Sequence, residues 1–298
     1  MIFQEEWFML GSNCLVTLNM EDELKAKKVL QSLRRKIVKF EKKFSRFLPE
    51  SEVVRFNLNQ NSSRKVSYEF LEILKLCLKM SKKTDHIFNP FILPALQKAA
   101  YVGSWPNVGD FVSQTNFSTK NVCQVKDIKI KQNLVYLPPN CAIDLGGIGK
   151  GYLLDNLGDD LRTSGVDNFW LSFGGDILVS GSDTNRTGWQ ISIQKAQEPL
   201  DQIDLIETEG RTLGIATSGI TKRQGSCWHH LIDPHTLKPA MTDVLTATVV
   251  AKNALEADVL AKTLVILGSK KAEIFIETQK LSQYVLQLKN GEILRIRS

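Results

Sequence analysis

The 298-residue chain has no stretch of about 18 consecutive apolar residues, the length a helix needs to cross a bilayer, so membrane insertion is not expected. Its five cysteines (Cys14, Cys77, Cys123, Cys141 and Cys227) form an odd count without a Cys-x-x-Cys pair. That pattern argues against a zinc ribbon and against a disulfide framework, and favours a reducing compartment. Residues Met1 to Leu10 lack a basic start and a small-residue cleavage site, and Glu5 and Glu6 interrupt their apolar stretch, so they do not read as a secretory signal. A cytoplasmic protein is the resulting expectation. Nor is there a stripe of basic and aromatic residues: 38 Lys and Arg stand against 32 Asp and Glu, scattered along segments such as Lys25 to Arg46. A nucleic-acid partner is therefore not expected. No repeat, low-complexity tract or linker divides the chain. With 43% hydrophobic residues it has enough apolar surface for a large core, and residues 1–298 are expected to form one domain of two intimately packed lobes.

What is present is alternation of short strands and amphipathic helices. Leu15 to Asn19 predicts a strand, and Glu21 to Phe44 carries Leu24, Val29, Leu30, Leu33, Ile37, Phe40 and Phe44 near the helical period. Ser67 opens a second helix, the segment Phe88-Asn89-Pro90 an extended turn, and a short helix is expected near Leu96. Residues 102–139 are poorly periodic and read as a strand-rich insertion with turns at Pro106 and Pro138-Pro139. Further strands are expected at Asn168 to Phe173, Ile177 to Ser180, Trp189 to Ile193 and Thr246 to Ala251. Asn253-Ala254-Leu255-Glu256 resembles a capping box opening a helix that stops at Gly268. Tyr284 to Leu288 and Ile293 to Ile296 form a hairpin whose Asn290-Gly291 suits a type I′ turn. The fold class is mixed α/β (α+β).

Four segments carry chemistry. Asp144-Leu145-Gly146-Gly147-Ile148-Gly149-Lys150-Gly151-Tyr152 sets glycines and a lysine before a helical pattern. Glycines permit positive φ and close backbone approach, and the helix start favours an anion. The spacing matches neither the dinucleotide fingerprint nor the P-loop. Gly174-Gly175-Asp176 lies between two strands, where a hairpin bend alone would explain it. Gly214 to Gly219 is followed by His229, His230 and His235, three of the chain's four histidines. Adjacent histidines on a strand point to opposite faces and there is no His-x-x-x-His pair, so zinc is disfavoured. In Glu256 to Leu264, Asp258 and Lys262 share a helix face, and the Ala, Val and Leu around them predict burial, which requires a partner for the carboxylate.

Taken together and in this order, the four segments resemble the FAD:protein FMN transferases, the ApbE-type flavin transferases. That family has a D-L-G-G-I-A-K-G-Y run, an N-L-G-G-D run, an A-T-S-G run followed by H-I-I-D-P-x-T-G, and a helical A-D-x-L-A-T run. Here they stand as Asp144 to Tyr152, Ser172 to Asp176, Ala216 to Gly219 with His229 to Thr236, and Ala257 to Lys262. Gly11-Ser12, the segment Phe44-Ser45-Arg46-Phe47 through Asn57, and Thr84 to Pro90 extend the likeness over nearly the whole chain. Gly149 stands where the family has Ala, His86 for Gly, Asn89 for Asp, Ser172 for Asn, Leu237 for Gly, and Lys262 for a metal-binding Thr, with Thr263 beside it.

The resemblance implies the ApbE-type two-lobed fold, with mixed and antiparallel sheets flanked by helices and FAD in the groove between lobes. It implies transfer of the FMN half of FAD to a Ser or Thr hydroxyl of an acceptor flavoprotein, with release of AMP. His230 and Asp258 become the catalytic candidates. Ser51, Asn57, Asp144, Gly146, Gly147, Lys150, Gly174, Gly175, Asp176, Thr217 and Ser218 become the FAD-binding candidates, and Asp258 with the carbonyl of Gly149 the candidate Mg²⁺ ligands. A flavin-binding protein without transfer activity and an FAD pyrophosphatase are the competing expectations, the first motivated by Lys262.

Overall fold

The computed structural model describes residues 1–99, 123–221 and 229–296. A meander of eight strands organises it: β1 (Ile2–Met9), β2 (Ser12–Asn19), β3 (Phe169–Phe173), β4 (Asp176–Ser180), β5 (Leu213–Gly219), β6 (Val244–Ala251), β7 (Tyr284–Leu288) and β8 (Ile293–Ile296). They lie side by side in chain order, each antiparallel to its neighbours. All strand pairs among the described residues are antiparallel, so the fold is α+β and the mixed sheets of the expectation narrow to antiparallel ones. Alternation fixes the register. Cys14, Val16 and Leu18 of β2 sit opposite Phe173, Leu171 and Phe169 of β3, and all six are fully buried.

Among the described residues seven α-helices accompany the sheet: α1 (Glu23–Phe44), α2 (Glu52–Asn57), α3 (Tyr68–Lys83), α4 (Leu93–Lys98), α5 (Gly149–Thr163), α6 (Ala254–Leu267) and α7 (Ser269–Gln279). α1 begins at an Asp22 cap and buries Ala26, Leu30, Leu33, Ile37, Phe40 and Phe44, one apolar stripe. That stripe joins α3, α5 and the inner faces of β2 and β3 in the largest core. On the other face a hairpin, Gln190–Gln194 with Gln202–Glu207, covers Ile177, Val179, Ile215 and Val285. β4 is therefore covered on both sides, and all five of its residues are buried.

The junction of α5 and α6 sets the site. Asp155 on α5 accepts hydrogen bonds from Ala254 N (2.7 Å) and Leu255 N (3.0 Å), capping two N–H groups that α6 leaves unsatisfied. Asn253 caps a third, at Glu256 N (2.8 Å), as its place in the sequence predicts. Gly151 lets the helices touch: a Cβ there would lie 2.5 Å from Leu255 Cα.

Three expectations change. The strand β1 was not among those predicted, because its burial alternates only between exposed and half-buried, the pattern of a sheet edge. In the β7–β8 connection only Gly291 takes positive φ (+87°), and Gly291 N donates to Leu288 O (3.0 Å). A type I′ turn needs positive φ at both Asn290 and Gly291, so the loop is a turn followed by a left-handed glycine instead. Finally, Cys123 and Cys141 are joined by a disulfide, with Cα atoms 5.3 Å apart. The odd count concealed that pair because folding, not sequence spacing, brings the two together. Cys14 and Cys77 are buried free thiols whose titration burial pushes up, and Cys227 and Pro106 lie outside the described residues.

Two consequences follow from the junction. Gly151→Ala gains helix propensity but drives a methyl into Leu255; the overpacking dominates, and a loss of about 2 kcal/mol is expected in urea unfolding. Burial raises the Asp155 carboxyl from 3.8 to about 6, against the pull of the Leu255 and Ala254 N–H groups. The fold then holds this proton more tightly than the unfolded chain does, so the group's contribution is present below about pH 4 and lost as pH rises through about 6. The urea midpoint of the wild type should fall relative to that of Asp155→Asn across this window, and parallel profiles would contradict the assignment.

Candidate functional site

One cavity of about 310 Å³ opens where the β3–β4 turn, the N-terminus of α5, the middle of α6 and the end of β5 converge. Asp144, Gly146, Gly147, Gly149, Lys150, Gly174, Gly175, Asp176, Thr217, Ser218, His230 and Asp258 all line it. Twelve of the fourteen residues predicted from sequence thus meet at a single site. Ser51 and Asn57 are not on its wall. Ser51 Oγ caps α2, accepting from Val54 N (3.2 Å). Asn57 brackets Ile143, donating to its O (2.9 Å) and accepting from its N (2.8 Å), and so fixes the backbone that presents Asp144.

The glycine run works differently from the expectation. None of Gly146, Gly147, Gly149 and Gly151 has positive φ. Gly146 N donates to Asp144 Oδ1 (2.6 Å) and Gly149 N to Leu145 O (2.7 Å), so two of the expected donors are spent within the turn. Space is what the run supplies. At Gly147 a Cβ would meet Phe88 at 3.1 Å and the Lys262 stem at 3.7 Å. Gly174 and Gly175, by contrast, do take positive φ (+63° and +98°), as a two-residue hairpin loop between paired Phe173 and Asp176 requires. Here the hairpin and the cavity wall are the same residues.

Three cation–carboxylate pairs face the cavity. Arg46 Nε lies 3.1 Å from Asp144 Oδ2, with both side chains nearly buried. Lys150 pairs with Asp176 and also donates to Phe173 O (3.3 Å). Lys262 pairs with Asp258 and donates to Asp258 O (3.1 Å). Each ammonium has three donors, so both lysines keep one beyond these contacts. Burial pushes the Asp258 carboxyl up, helped by the nearby Asp176 charge and opposed by Lys262 and Lys150. Its Oδ2 is buried without a hydrogen-bond partner, as is Thr246 Oγ1 on the same wall. Two orphaned polar atoms in one cavity point to a ligand that supplies their partners.

The two adjacent histidines divide, although neither lies in a strand. His230 lines the cavity, while His229 Nε2 donates to Ala240 O (3.0 Å) and burial lowers its tendency to protonate. His235 is exposed. Among the described residues no group of three His, Cys, Asp or Glu is arranged to hold a metal ion. Thr263 is fully buried, donates to Val259 O (2.9 Å) and does not line the cavity.

Sequence reasoning missed Arg46, Thr246 and the aromatic wall of Phe40, Phe44, Phe47 and Phe88. Arg46 was visible only as part of a motif, and its guanidinium lies over the Phe47 ring at 4.2 Å. Thr246 carried no signal, since its place opposite Gly219 follows from strand register. Arg46→Met should cost about 3 kcal/mol by leaving Asp144 a buried charge without its cation. Adding Asp144→Asn should recover most of that in a double-mutant cycle of unfolding free energies, and additive losses would separate the two residues.

The ApbE family model matches residues 10–286. An FAD:protein FMN transferase of Buchnera aphidicola is 27% identical over 273 residues, covering 87% of this chain and 78% of the relative. That of Escherichia coli K12 is 25% identical over 256 residues, 81% and 72% of the two chains. Among solved structures, an ApbE protein of Thermotoga maritima superimposes with a TM-score of 0.85 at 22% identity, over 99% of this chain and 97% of the other. The flavin transferase ApbE of Vibrio cholerae does so at 0.81 and 21%, with the same coverage. These likenesses are to the fold.

Proposed function

The chain belongs to the ApbE family, and from that premise we propose that its cavity transfers the FMN half of FAD to a hydroxyl of an acceptor flavoprotein. The convergence of Lys150, Lys262, His230 and Asp258 on one cavity carries the reading. We read residues 1–298 as one transferase domain of two packed lobes. The wall of Phe40, Phe44, Phe47 and Phe88 suits a planar ring, and the charged end suits a diphosphate.

In the step proposed, a Ser or Thr oxygen of the acceptor forms a bond to the phosphorus of the FMN half. The bond from that phosphorus to the bridging oxygen breaks, and AMP leaves with the bridging oxygen and the electron pair. The hydroxyl proton passes to the His230 imidazole, the side-chain type best suited to accept a proton near neutral pH. Lys150 and Arg46 supply positive charge beside the phosphate oxygens, where negative charge grows. The hairpin loop Gly174-Gly175 and the hydroxyls of Thr217 and Ser218 complete the FAD wall, and Ser51 and Asn57 serve it from behind, Asn57 by fixing Asp144.

The resemblance adds Mg²⁺ on Asp258 and the Gly149 carbonyl. Asp258 Oδ2 is orphaned, which suits a cation, but Oδ1 already holds the Lys262 ammonium. A dication at Oδ2 would stand beside that like charge, and Thr263 Oγ1 is turned away. These residues do not fit a divalent ion, and no step is routed through one. On location, no helix among the described residues is long and apolar enough to cross a membrane. A cytoplasmic site remains the sequence expectation, and the Cys123–Cys141 disulfide weighs against it because reducing compartments keep thiols open.

Incubation with FAD, with and without an acceptor domain, tests the reading through AMP release and in-gel flavin fluorescence. AMP and a fluorescent acceptor band are expected only together. AMP and FMN without acceptor identify a pyrophosphatase, and bound but intact FAD a flavin-binding protein. His230→Ala should lower the transfer rate by about 10²- to 10⁴-fold, the range for losing a general base.

A further inference from the structure

Lys262 is held in the cavity from three sides. It follows Asp258 by one helical turn, its Nζ bonds both the carboxylate and the backbone carbonyl of that residue, and its stem is packed against Gly147. Its side chain is 13% exposed and that of Asp258 1%, so the pair is desolvated and screened little by salt. Lys150 and Asp176 form a second such pair on the same wall, close enough for Asp176 and Lys150 to act on Asp258 through space. Two buried ammoniums, each anchored by a carboxylate and each with a donor to spare, line one cavity, where both can donate to the oxygens of a diphosphate.

Resting on the transferase reading, we propose that Lys262 is the resident cation of this site. Its ammonium, seated on Asp258, occupies the place of a divalent ion and, with Lys150, binds the two phosphates of FAD directly, so that the dinucleotide is held without a metal at Asp258. Asp258 is then the anchor that orients Lys262. Gly147 is the gap its stem passes through.

The test uses the whole protein. FAD is titrated by flavin fluorescence in EDTA and again with Mg²⁺, and Mn²⁺ bound to the FAD-loaded protein is counted by electron paramagnetic resonance. The wild type should bind FAD equally in both media, within about twofold, and hold no stoichiometric Mn²⁺. Lys262→Thr should weaken binding in EDTA by about tenfold or more, the loss of a charge-assisted hydrogen bond. It should also take up one Mn²⁺ per chain and recover FAD affinity when Mg²⁺ is added, whereas Lys262→Arg should stay metal-independent. Stoichiometric Mn²⁺ on the wild type, FAD binding that EDTA abolishes, or a Lys262→Thr variant that binds as the wild type does in EDTA would each overturn the proposal. The first two are read on the unaltered chain, so a poorly folded variant does not mask them. Absence of FAD binding by the wild type in both media overturns the transferase reading itself, a result distinct from binding that requires the metal.

Discussion

The contact between α5 and α6 is the constraint on which the site depends. One helix carries Gly149 and Lys150, the other Asp258 and Lys262, and neither helix holds its position through its own propensity. Asp155 joins them by taking the first N–H groups of α6, and Gly151 removes the side chain that would keep them apart. A buried carboxylate at a helix N-terminus is favoured by the dipole and disfavoured by desolvation. The raised Asp155 carboxyl records which term is larger. The fold accepts an unfavourable ionisation in order to fix two helices, and through them two lysines, at one cavity.

The eight-stranded meander supplies the other half of the frame. Because β3, β4, β5 and β6 are consecutive neighbours, the β3–β4 turn and the end of β5 come to the same end of the sheet. Gly174, Gly175 and Asp176 therefore face Thr217 and Ser218 across that end, although some forty residues separate them in the chain. α6 packs on β5 and β6 and brings Asp258 to the same place. Antiparallel neighbours return the chain to the same end of the sheet at every second strand, so the site is assembled although long connections separate β4, β5 and β6.

Much of this was legible in the sequence, and what was not has a common cause. The ends of α6 were readable because caps are local: Asn253 and Gly268 act within a few residues. His229 and His230 part in the structure, one bonded to Ala240 and the other on the cavity wall. Arg46 on Asp144, Asn57 on Ile143, Thr246 in the wall and Cys123 on Cys141 are all contacts between distant segments. Their residue types carry no mark of them. The glycine run shows a subtler limit: its position was informative, but the expected mechanism, positive φ and free N–H donors, was replaced by close packing against Phe88, Lys262 and Leu255. A glycine signals that something comes near without saying whether it is ligand, backbone or side chain.

The electrostatics of the cavity follow from pairing rather than from net charge. Arg46, Lys150 and Lys262 each face a carboxylate, so each cation is already partly balanced by a neighbour. A charge left alone at such depth is costly, and each pair offsets that cost. An arriving anion finds donors already oriented, with the reorganisation done during folding. The cost is that each cation is shared between its carboxylate and the ligand, which weakens its grip. Fixed geometry offsets that loss: Lys262 is confined by Gly147 and Asp258, Lys150 by Phe173 and Asp176, and little side-chain entropy remains to be lost on binding. An anion that reaches both ammoniums at once recovers more of what the carboxylates hold than one that reaches a single lysine.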